Sequence, residues 1–354
     1  MITVQVSPAG RGQGSRVYEV RVGDGAAVLL AELVASQVPA ARHAAVVTDE
    51  MVAATSWFET IDPGLPFEVH AVEAGERAKS VANVERLCRE FASTGLSRAD
   101  VVVAVGGGVV TDLAGFAAAC YHRGTAYCTV ATTLLAQVDA AIGGKTGVDL
   151  PEGKNLMGAF WQPVGVLCDT ALLATLPARE WTSGRGELAK YTFLGEPRLA
   201  DLPLDAQIGR SVARKAAHVE ADEREGGPRV LLNYGHTFAH ALEAVALDAG
   251  ADLRHGEAVG VGLVFAALLA RRLGRISDER VAFHRETVRR FSVSDRLPAG
   301  LETVDPKELL AYMARDKKAA HDLAFVLDGP DGVELVHGVA PSDVLAAIEE
   351  LACT

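Results

Sequence analysis

Acidic and histidine side chains that could bind a metal ion recur in the second half of the chain. Glu187 lies in GELAKY, His236 and His240 lie four residues apart in LNYGHTFAH, and His255 lies in RHGEAV. A helix would place His236 and His240 on one face. Two histidines and a glutamate form a known catalytic zinc set, which makes Glu187, His236 and His255 candidate ligands. The spacing is not that of HExxH, and a single histidine more often has a structural role.

Lysines in a segment rich in glycine and alanine are the second chemical feature. TTLLAQVDAAIGGKTGVDLPEGKNLMGAF contains Lys145 and Lys154, with Asp139 and Asn155 close by. Surface lysines usually occur in charged helices, so we expect these to face a pocket that receives phosphate or carboxylate. The GGKT motif does not complete the P-loop pattern GxxxxGK[ST], because position 139 is aspartate rather than glycine.

The segment VVVAVGGGVVTDLAG is typical of a buried strand, a glycine turn and the start of a helix. Such a turn lets backbone N–H groups approach a pyrophosphate, which the helix dipole also favours. Gly106, Gly107 and Gly108 do not form GxGxxG, so a tight turn without a ligand is the alternative. Asp49 ends an earlier strand, where a carboxylate could receive ribose hydroxyls or simply cap a helix.

The order of strands and helices predicts two domains that position these residues. Strand-like AAVVTDE and ADVVVAVGGG flank the helical pattern VANVERLCREFAS, which indicates a parallel sheet with crossovers. From about Leu176 helical segments dominate. We therefore expect an N-terminal α/β nucleotide-binding domain over 1–175 and an all-α metal-binding domain over 176–354.

Composition excludes several classes of protein. The 354 residues carry a formal net charge of -12, which argues against a nucleic-acid-binding protein but permits a locally basic pocket. The five cysteines lack a CxxC motif and are expected to be reduced thiols. No segment resembles a signal peptide, and AVGVGLVFAALLA is too short to span a membrane and is predicted to be a buried helix. The expected location is the cytoplasm.

Along almost its whole length the chain resembles the 3-dehydroquinate synthase family of sugar phosphate cyclases. The similarity rests on the motifs above together with AGERAK, CYHRG, TLPARE and RDKK. It implies a nucleotide-binding α/β domain followed by a helical metal-binding domain, usually in a homodimer. It also implies an anionic seven-carbon sugar-acid phosphate as substrate. From the net charge and the lack of a membrane-spanning segment we expect no nucleic-acid or membrane partner.

The resemblance assigns roles to individual residues. Zinc or cobalt would be held by Glu187, His236 and His255. NAD would be contacted by Asp49, Glu76, Lys79, Gly107, Gly108, Asp112, Thr132, Thr133, Thr175 and Leu176. The substrate would be held by Lys145, Asn155, Lys190, Lys215, Arg229, Asn233 and His240, with Asp139, Lys154 and one of Lys317 and Lys318 completing the site. Arg123 resembles a residue that reaches the active site of the partner subunit.

The reaction implied by the resemblance has no net redox change. In the family, NAD+ transiently oxidises a ring hydroxyl, which acidifies the neighbouring C–H bond and allows phosphate to leave by β-elimination. The hydride then returns, and the opened ring closes as a carbocycle by aldol addition. The metal would polarise the oxidised carbon's oxygen, and the cations would hold the substrate in position.

The substrate within the family is the open question. The motifs GGKT, GKN and LNYGHTF favour a dehydroquinate-type substrate over those that yield deoxy-inosose or valiolone. YHRG and GRGELAKYTFLGEP depart from primary-metabolism enzymes and favour the amino variant, 5-amino-5-deoxy-3-dehydroquinate synthase of the aminohydroxybenzoate pathway of antibiotic biosynthesis. The alternative is the shikimate-pathway 3-dehydroquinate synthase of aromatic amino acid biosynthesis, since the substrate-facing positions match it.

Two other classes of protein are alternatives to a cyclase. An NAD- and metal-dependent polyol dehydrogenase would share the glycine turn and the helical domain, but would release NADH and would not need the cluster of cations. A non-catalytic relative that acts as a binding protein would not need an intact set of Glu187, His236 and His255.

Overall fold

The structure, a computed structural model, describes residues 1–10, 15–302, 304–315 and 323–353. It divides into two compact units. The first comprises Met1–Pro177 and Pro203–Glu225, and the second comprises Ala178–Leu202 and Gly226–Thr354. The segment Pro203–Glu225 thus lies in the first unit, although the sequence prediction placed it in the helical domain.

Among its described residues the first unit has nine strands, seven of them in one sheet. They are β1 (Ile2–Val6), β2 (Tyr18–Gly23), β3 (Ala44–Asp49), β4 (Phe67–Val72), β5 (Val101–Gly106), β6 (Ala126–Ala131), β7 (Lys145–Leu150), β8 (Gly153–Phe160) and β9 (Gly165–Asp169). The sheet has the order β1-β2-β9-β6-β5-β3-β4 and is parallel except for the β1–β2 pair. Strands β7 and β8 form a separate antiparallel hairpin.

Helices account for most of the remaining regular structure of the described ranges. They are α1 (Leu30–Gln37), α2 (Glu50–Ala53), α3 (Val81–Ser93), α4 (Gly108–Cys120), α5 (Ala178–Phe193), α6 (Leu204–Ala221), α7 (His236–Asp248), α8 (His255–Arg272), α9 (Asp278–Arg290), α10 (Pro306–Arg315) and α11 (Pro341–Ala352). Helices α1 to α4 and α6 belong to the first unit. The other six belong to the second unit, together with the short hairpin β10 (Phe325–Leu327) and β11 (Glu334–Val336).

The central strands are apolar on both faces because both faces of the sheet are covered. Every residue of β5 is buried. Val102 and Ala104 belong to one apolar cluster with Leu87 and Phe91 of α3, whereas Val101 and Val103 belong to another with residues of α1. Side chains alternate across a strand, so a doubly covered parallel strand is expected to be apolar throughout. The predicted α/β sheet with crossovers is confirmed.

The second unit is helical, as predicted, apart from the β10–β11 hairpin, which the expectation of an all-α domain missed. The apolar segment predicted to be a buried helix is α8, whose residues from Ala258 to Ala270 are all buried. Within the described residues, none of the helices combines the length and apolar character that crossing a bilayer requires. All five cysteines are free in the structure.

Candidate functional site

The three predicted metal ligands come together in the second unit. Glu187 of α5 is fully buried, and its Oε1 lies 3.1 Å from Nε2 of both His236 and His255. Its other oxygen lies 2.5 Å from Nζ of Lys190, which is also buried. One potential ligand atom from each of Glu187, His236 and His255 lies within 4.8 Å of the other two. This cluster has the composition of a His2Glu metal site.

The outer nitrogens of the two histidines show that the cluster fits a metal ion. Nδ1 of His236 lies 3.1 Å from the carbonyl oxygen of Tyr234. A carbonyl only accepts hydrogen bonds, so Nδ1 carries the hydrogen and neutral His236 presents a lone pair at Nε2. Nδ1 of His255 similarly lies 3.1 Å from Oε2 of Glu243. Metal-binding histidines usually donate their second N–H to a carbonyl or a carboxylate in this way.

Charge favours an ionised carboxylate at the centre of the cluster. Burial opposes ionisation of Glu187, but Lys190 and His236 hold the pKa of that carboxyl well below its usual range. Burial also disfavours a charged His255, yet the neighbouring Glu243 and Glu187 raise its pKa to about 10. A divalent ion must displace the proton on His255, so metal binding is expected to release a proton.

Glycines set the helices at the separation that these ligands require. A Cβ added at Gly256 would lie 1.7 Å from the carbonyl oxygen of Ser183, and one at Gly186 would lie 2.0 Å from the carbonyl oxygen of Gly256. Gly262 approaches Gly235 equally closely, since its Cβ would lie 2.1 Å from that carbonyl oxygen. Helix α8 therefore makes backbone contact with α5 and with the residue that precedes α7, next to each proposed ligand.

A buried stack of polar and aromatic side chains lies behind His236. The hydroxyl of Tyr234 donates to Nε2 of His284 at 2.8 Å, and Nδ1 of His284 donates to the carbonyl of Arg280 at 2.7 Å. The His284 ring stacks on Phe193, with ring centroids 3.9 Å apart. Since the Tyr234 carbonyl accepts the hydrogen bond from His236, this stack helps to fix the orientation of a proposed ligand.

Acid is expected to destabilise the protein through His284, which has no exposed surface. Burial lowers its pKa from 6.5 to about 4. The folded protein therefore favours neutral His284. Its contribution to the free energy of unfolding is complete above the unfolded pKa of 6.5 and is lost as the pH falls from 6.5 towards 4. Between pH 7 and pH 4.5, the free energy of unfolding measured with urea should fall by about 2 kcal/mol more in the wild type than in His284→Gln. An equal decrease in both proteins would show that His284 does not cause the loss of stability in acid.

In the first unit, Lys79 joins residues from several segments. Its buried Nζ lies 2.8 Å from Oδ2 of Asp112 and 3.6 Å from Oε1 of Glu76, and it donates to Oδ1 of Asn155. Burial favours the neutral amine, but Asp112 and Glu76 raise the pKa of Lys79 above its ordinary value. The structure thus brings together three residues assigned to NAD, together with Asn155, which was assigned to the substrate.

Two further predicted cations of the first unit, Lys215 and Lys145, form ion pairs with carboxylates. Nζ of Lys215 lies 2.9 Å from Oδ1 of Asp139 and donates to the carbonyl of the same residue at 2.6 Å. Asp139 lies in a π-helical turn, Ala136–Ala140, a geometry often found at functional sites. Lys145 forms an ion pair with Glu225. The sequence analysis did not identify Glu225, whose one distinguishing feature in the sequence is its position before two glycines. Its φ of 61° lies in the left-handed region.

The glycine turn between β5 and α4 has the strand–turn–helix arrangement that the sequence predicts. Helix α4 begins at Gly108, directly after β5, and a Cβ at Gly107 would lie 2.8 Å from Thr133. Thr132 is buried, and its N–H donates to the carbonyl of Gly106. Asp49 caps α2 by accepting from the N–H of Val52 at 2.9 Å, as the alternative interpretation predicted.

The remaining assigned residues are placed as follows. Thr175 accepts a hydrogen bond from Trp57 in the first unit, and Leu176 follows it. Arg229 is buried in the second unit, whereas Asn233 is partly exposed there. Lys154 and Arg123 are exposed, and both His122 and Arg123 have left-handed backbones. Lys317 and Lys318 lie outside the described residues, and the homodimer stays a prediction.

Comparison with known proteins decides the family. Residues 69–183 match the family model described as 3-dehydroquinate synthase N-terminal, and residues 184–319 match the model of its C-terminal counterpart. The chain belongs to the 3-dehydroquinate synthase family. It is an enzyme of the 3-dehydroquinate synthase type, a sugar phosphate cyclase, so the family and the enzyme class predicted from the motifs are confirmed.

Relatives in this family cover nearly the whole chain. A "Putative aminodehydroquinate synthase" of Amycolatopsis mediterranei is 49% identical over 94% of this chain and 91% of its own length. A 3-dehydroquinate synthase of Nitrobacter hamburgensis is 42% identical over 94% of this chain and 92% of its own length.

Solved structures of other cyclases have the same fold. A 2-deoxy-scyllo-inosose synthase complexed with carbaglucose-6-phosphate, NAD+ and Co2+ superposes with a TM-score of 0.83 at 26% identity, covering 99% of both chains. A 2-epi-5-epi-valiolone synthase from Streptomyces hygroscopicus, with NAD+ and Zn2+ bound, gives 0.82 at 28% identity over 95% of this chain and 96% of its own. These two cyclases carry a nicotinamide cofactor and a divalent metal.

Proposed function

We propose that the enzyme converts a 3-deoxy-heptulosonate 7-phosphate into a carbocycle with elimination of phosphate, using NAD and a zinc or cobalt ion. The observation that carries this proposal is the buried cluster in which Nε2 of His236 and of His255 both lie 3.1 Å from Glu187 Oε1. Nδ1 of His236 already faces a carbonyl acceptor, so Nε2 is the nitrogen of His236 available for a metal. When bound, the ion polarises a substrate oxygen.

The first unit is proposed to bind NAD at the turn between β5 and α4. Gly107 has no room for a side chain, and α4 begins at Gly108, so backbone N–H groups and the helix dipole favour a pyrophosphate there. NAD, when bound, supplies a reversible hydride acceptor. Asp112 and Glu76 flank the Lys79 ammonium, which offsets the negative charge of both carboxylates close to the anionic cofactor.

The cations of each unit are proposed to bind the phosphate and the carboxylate of the substrate. Lys145 and Lys215 in the first unit are ion-paired with Glu225 and Asp139, which orients both ammonium groups. In the second unit, the Lys190 ammonium is buried against Glu187 and can donate toward an oxygen beside the metal position. Holding an anion through several steps is catalysis by positioning, and it explains why cations gather in a protein of net charge -12.

Replacement of Lys79 by methionine is expected to weaken NAD binding while the fold persists. The change leaves Asp112 without its ammonium partner next to the proposed pyrophosphate site, so NAD should bind at least about tenfold more weakly, or about 1.4 kcal/mol. Calorimetric titration with NAD+ measures the change, and thermal unfolding checks the fold. Lys307→Met, at an exposed lysine, is the control and should bind as the wild type does. Unchanged affinity in Lys79→Met would remove Lys79 from the NAD site.

Within this chemistry we propose the amino variant, 5-amino-5-deoxy-3-dehydroquinate synthase. Two observations support it: the departures YHRG and GRGELAKYTFLGEP, and an identity of 49% to the Amycolatopsis protein against 42% to the Nitrobacter enzyme. The shikimate-pathway 3-dehydroquinate synthase is the second candidate, because Lys145, Lys190 and the LNYGHTF motif match it equally well.

The experiment compares phosphate release from 3-deoxy-arabino-heptulosonate 7-phosphate and from its amino analogue. A higher kcat/KM with the amino analogue is expected, since discrimination between substrates is measured by that ratio. A preference for the oxygen substrate would assign the enzyme to the shikimate pathway. Stoichiometric accumulation of NADH with glycerol, and no phosphate release with either substrate, would instead point to a polyol dehydrogenase.

A further inference from the structure

His255 lies between two buried carboxylates, one at each ring nitrogen. Its Nε2 is 3.1 Å from Glu187 Oε1, and its Nδ1 is 3.1 Å from Glu243 Oε2. Each carboxylate is grouped with a further histidine, His236 beside Glu187 and His240 beside Glu243. Both trios offer three ligand atoms that lie within 4.8 Å of one another. The second trio therefore repeats the composition of the first and shares His255 with it.

Helix geometry explains how the second trio arises. His240 and Glu243 are three residues apart on α7, which places them on one face of the helix. His255 is the first residue of α8, and the ring centroids of His240 and His255 are 6.0 Å apart. The ring centroids of His236 and His240 are also only 5.6 Å apart, so the two trios are adjacent.

The hydrogen-bonding chemistry of His255 suits a metal on either nitrogen. A histidine that binds a metal through one nitrogen usually donates the hydrogen of the other to a carboxylate. An ion at Nε2 leaves Nδ1–H to donate to Glu243, and an ion at Nδ1 leaves Nε2–H to donate to Glu187. Either arrangement satisfies the ring, and each supplies the two histidines and one glutamate common in zinc sites.

We infer that His240, Glu243 and His255 form a second, alternative position for a divalent transition ion such as Zn2+ or Co2+. The ion occupies one position at a time, because neutral His255 offers a lone pair on only one of its ring nitrogens. Glu187 is fully buried and His236 is 8% exposed, whereas His240 is exposed. The second position is thus the outer one, where an ion arriving from solvent first meets protein ligands. This inference requires a metal-binding protein but does not depend on its substrate.

The test is equilibrium binding of Co2+ to variants that lack the inner position. His236→Ala removes one inner ligand and leaves the outer trio intact, so the variant should still bind Co2+. Adding His240→Ala should weaken that residual binding by at least about tenfold, the usual scale for loss of a group that supports a metal. The matched control adds His337→Ala instead, which removes an exposed histidine of the same unit and should change nothing. Absorption of bound Co2+ reports its ligand set in each protein.

Each outcome decides between the proposals. Equal Co2+ affinity of His236→Ala and His236→Ala/His240→Ala, or a folded His236→Ala that binds no Co2+, would overturn the outer position while leaving the inner one intact. A wild type that binds no Co2+ would instead overturn the metal in the proposed function as well. If His236→Ala fails to fold, as judged by circular dichroism, Glu187→Gln takes its place, since it removes the inner carboxylate with little change of shape.

Discussion

Alanine in place of His255 is expected to abolish metal binding and turnover together. The change leaves Glu187 and His236 as an incomplete ligand set. It also removes the hydrogen bond between Nδ1 of His255 and Glu243. Loss of groups that only support a metal costs about 10- to 100-fold in affinity, and loss of a ligand should reach at least the upper end. Zinc content after dialysis and phosphate release with the preferred substrate measure the two effects.

His337→Ala is the control for the His255 variant. His337 is an exposed histidine of the same unit, so its replacement should retain both the metal and the activity. Zinc at full stoichiometry in His255→Ala would exclude His255 from the ligand set. Loss of activity with the metal retained would mean that His255 acts on the substrate instead.

The parts of the fold with a strong local pattern were predictable from the sequence. The apolar run before Gly106 predicts a buried strand, and β5 is buried at every residue. The glycines that follow, Gly107 and Gly108, indicate a tight turn, and in the structure a Cβ at either position would lie close to a neighbouring side chain. Glu187, His236 and His255 were singled out because few residue types bind metals, and the structure brings these three together.

The placement of other elements and side chains depends on contacts between segments distant in the sequence, which the periodicity of a sequence does not encode. Helix α6 has an ordinary amphipathic pattern, and nothing in it reveals that it belongs with β1 in the first unit. The pairing of Lys145 with Glu225 joins residues 80 positions apart. Glu243, which supports His255, resembles any other glutamate on a helix until the start of α8 is placed beside it.

Replacement of Gly256 by alanine should disrupt the metal cluster without touching any ligand. In an exposed helix, glycine to alanine stabilises by about 1 kcal/mol. Here the new Cβ would lie 1.7 Å from the Ser183 carbonyl oxygen, a backbone atom that cannot turn away, so α5 and α8 must separate. Overpacking of this kind usually costs about 1–3 kcal/mol and should outweigh the gain in helix propensity.

The separation matters for function because Gly256 directly follows His255, while Ser183 lies one turn before Glu187 on α5. A shift there lengthens the distance between Glu187 Oε1 and His255 Nε2, so Co2+ affinity should fall by about 10- to 100-fold along with stability to urea. Gly226→Ala is the control, because its Cβ would meet no atom within 4 Å. A Gly256→Ala protein that is more stable than the wild type and binds Co2+ normally would show that backbone contact between α5 and α8 does not hold the ligands in place.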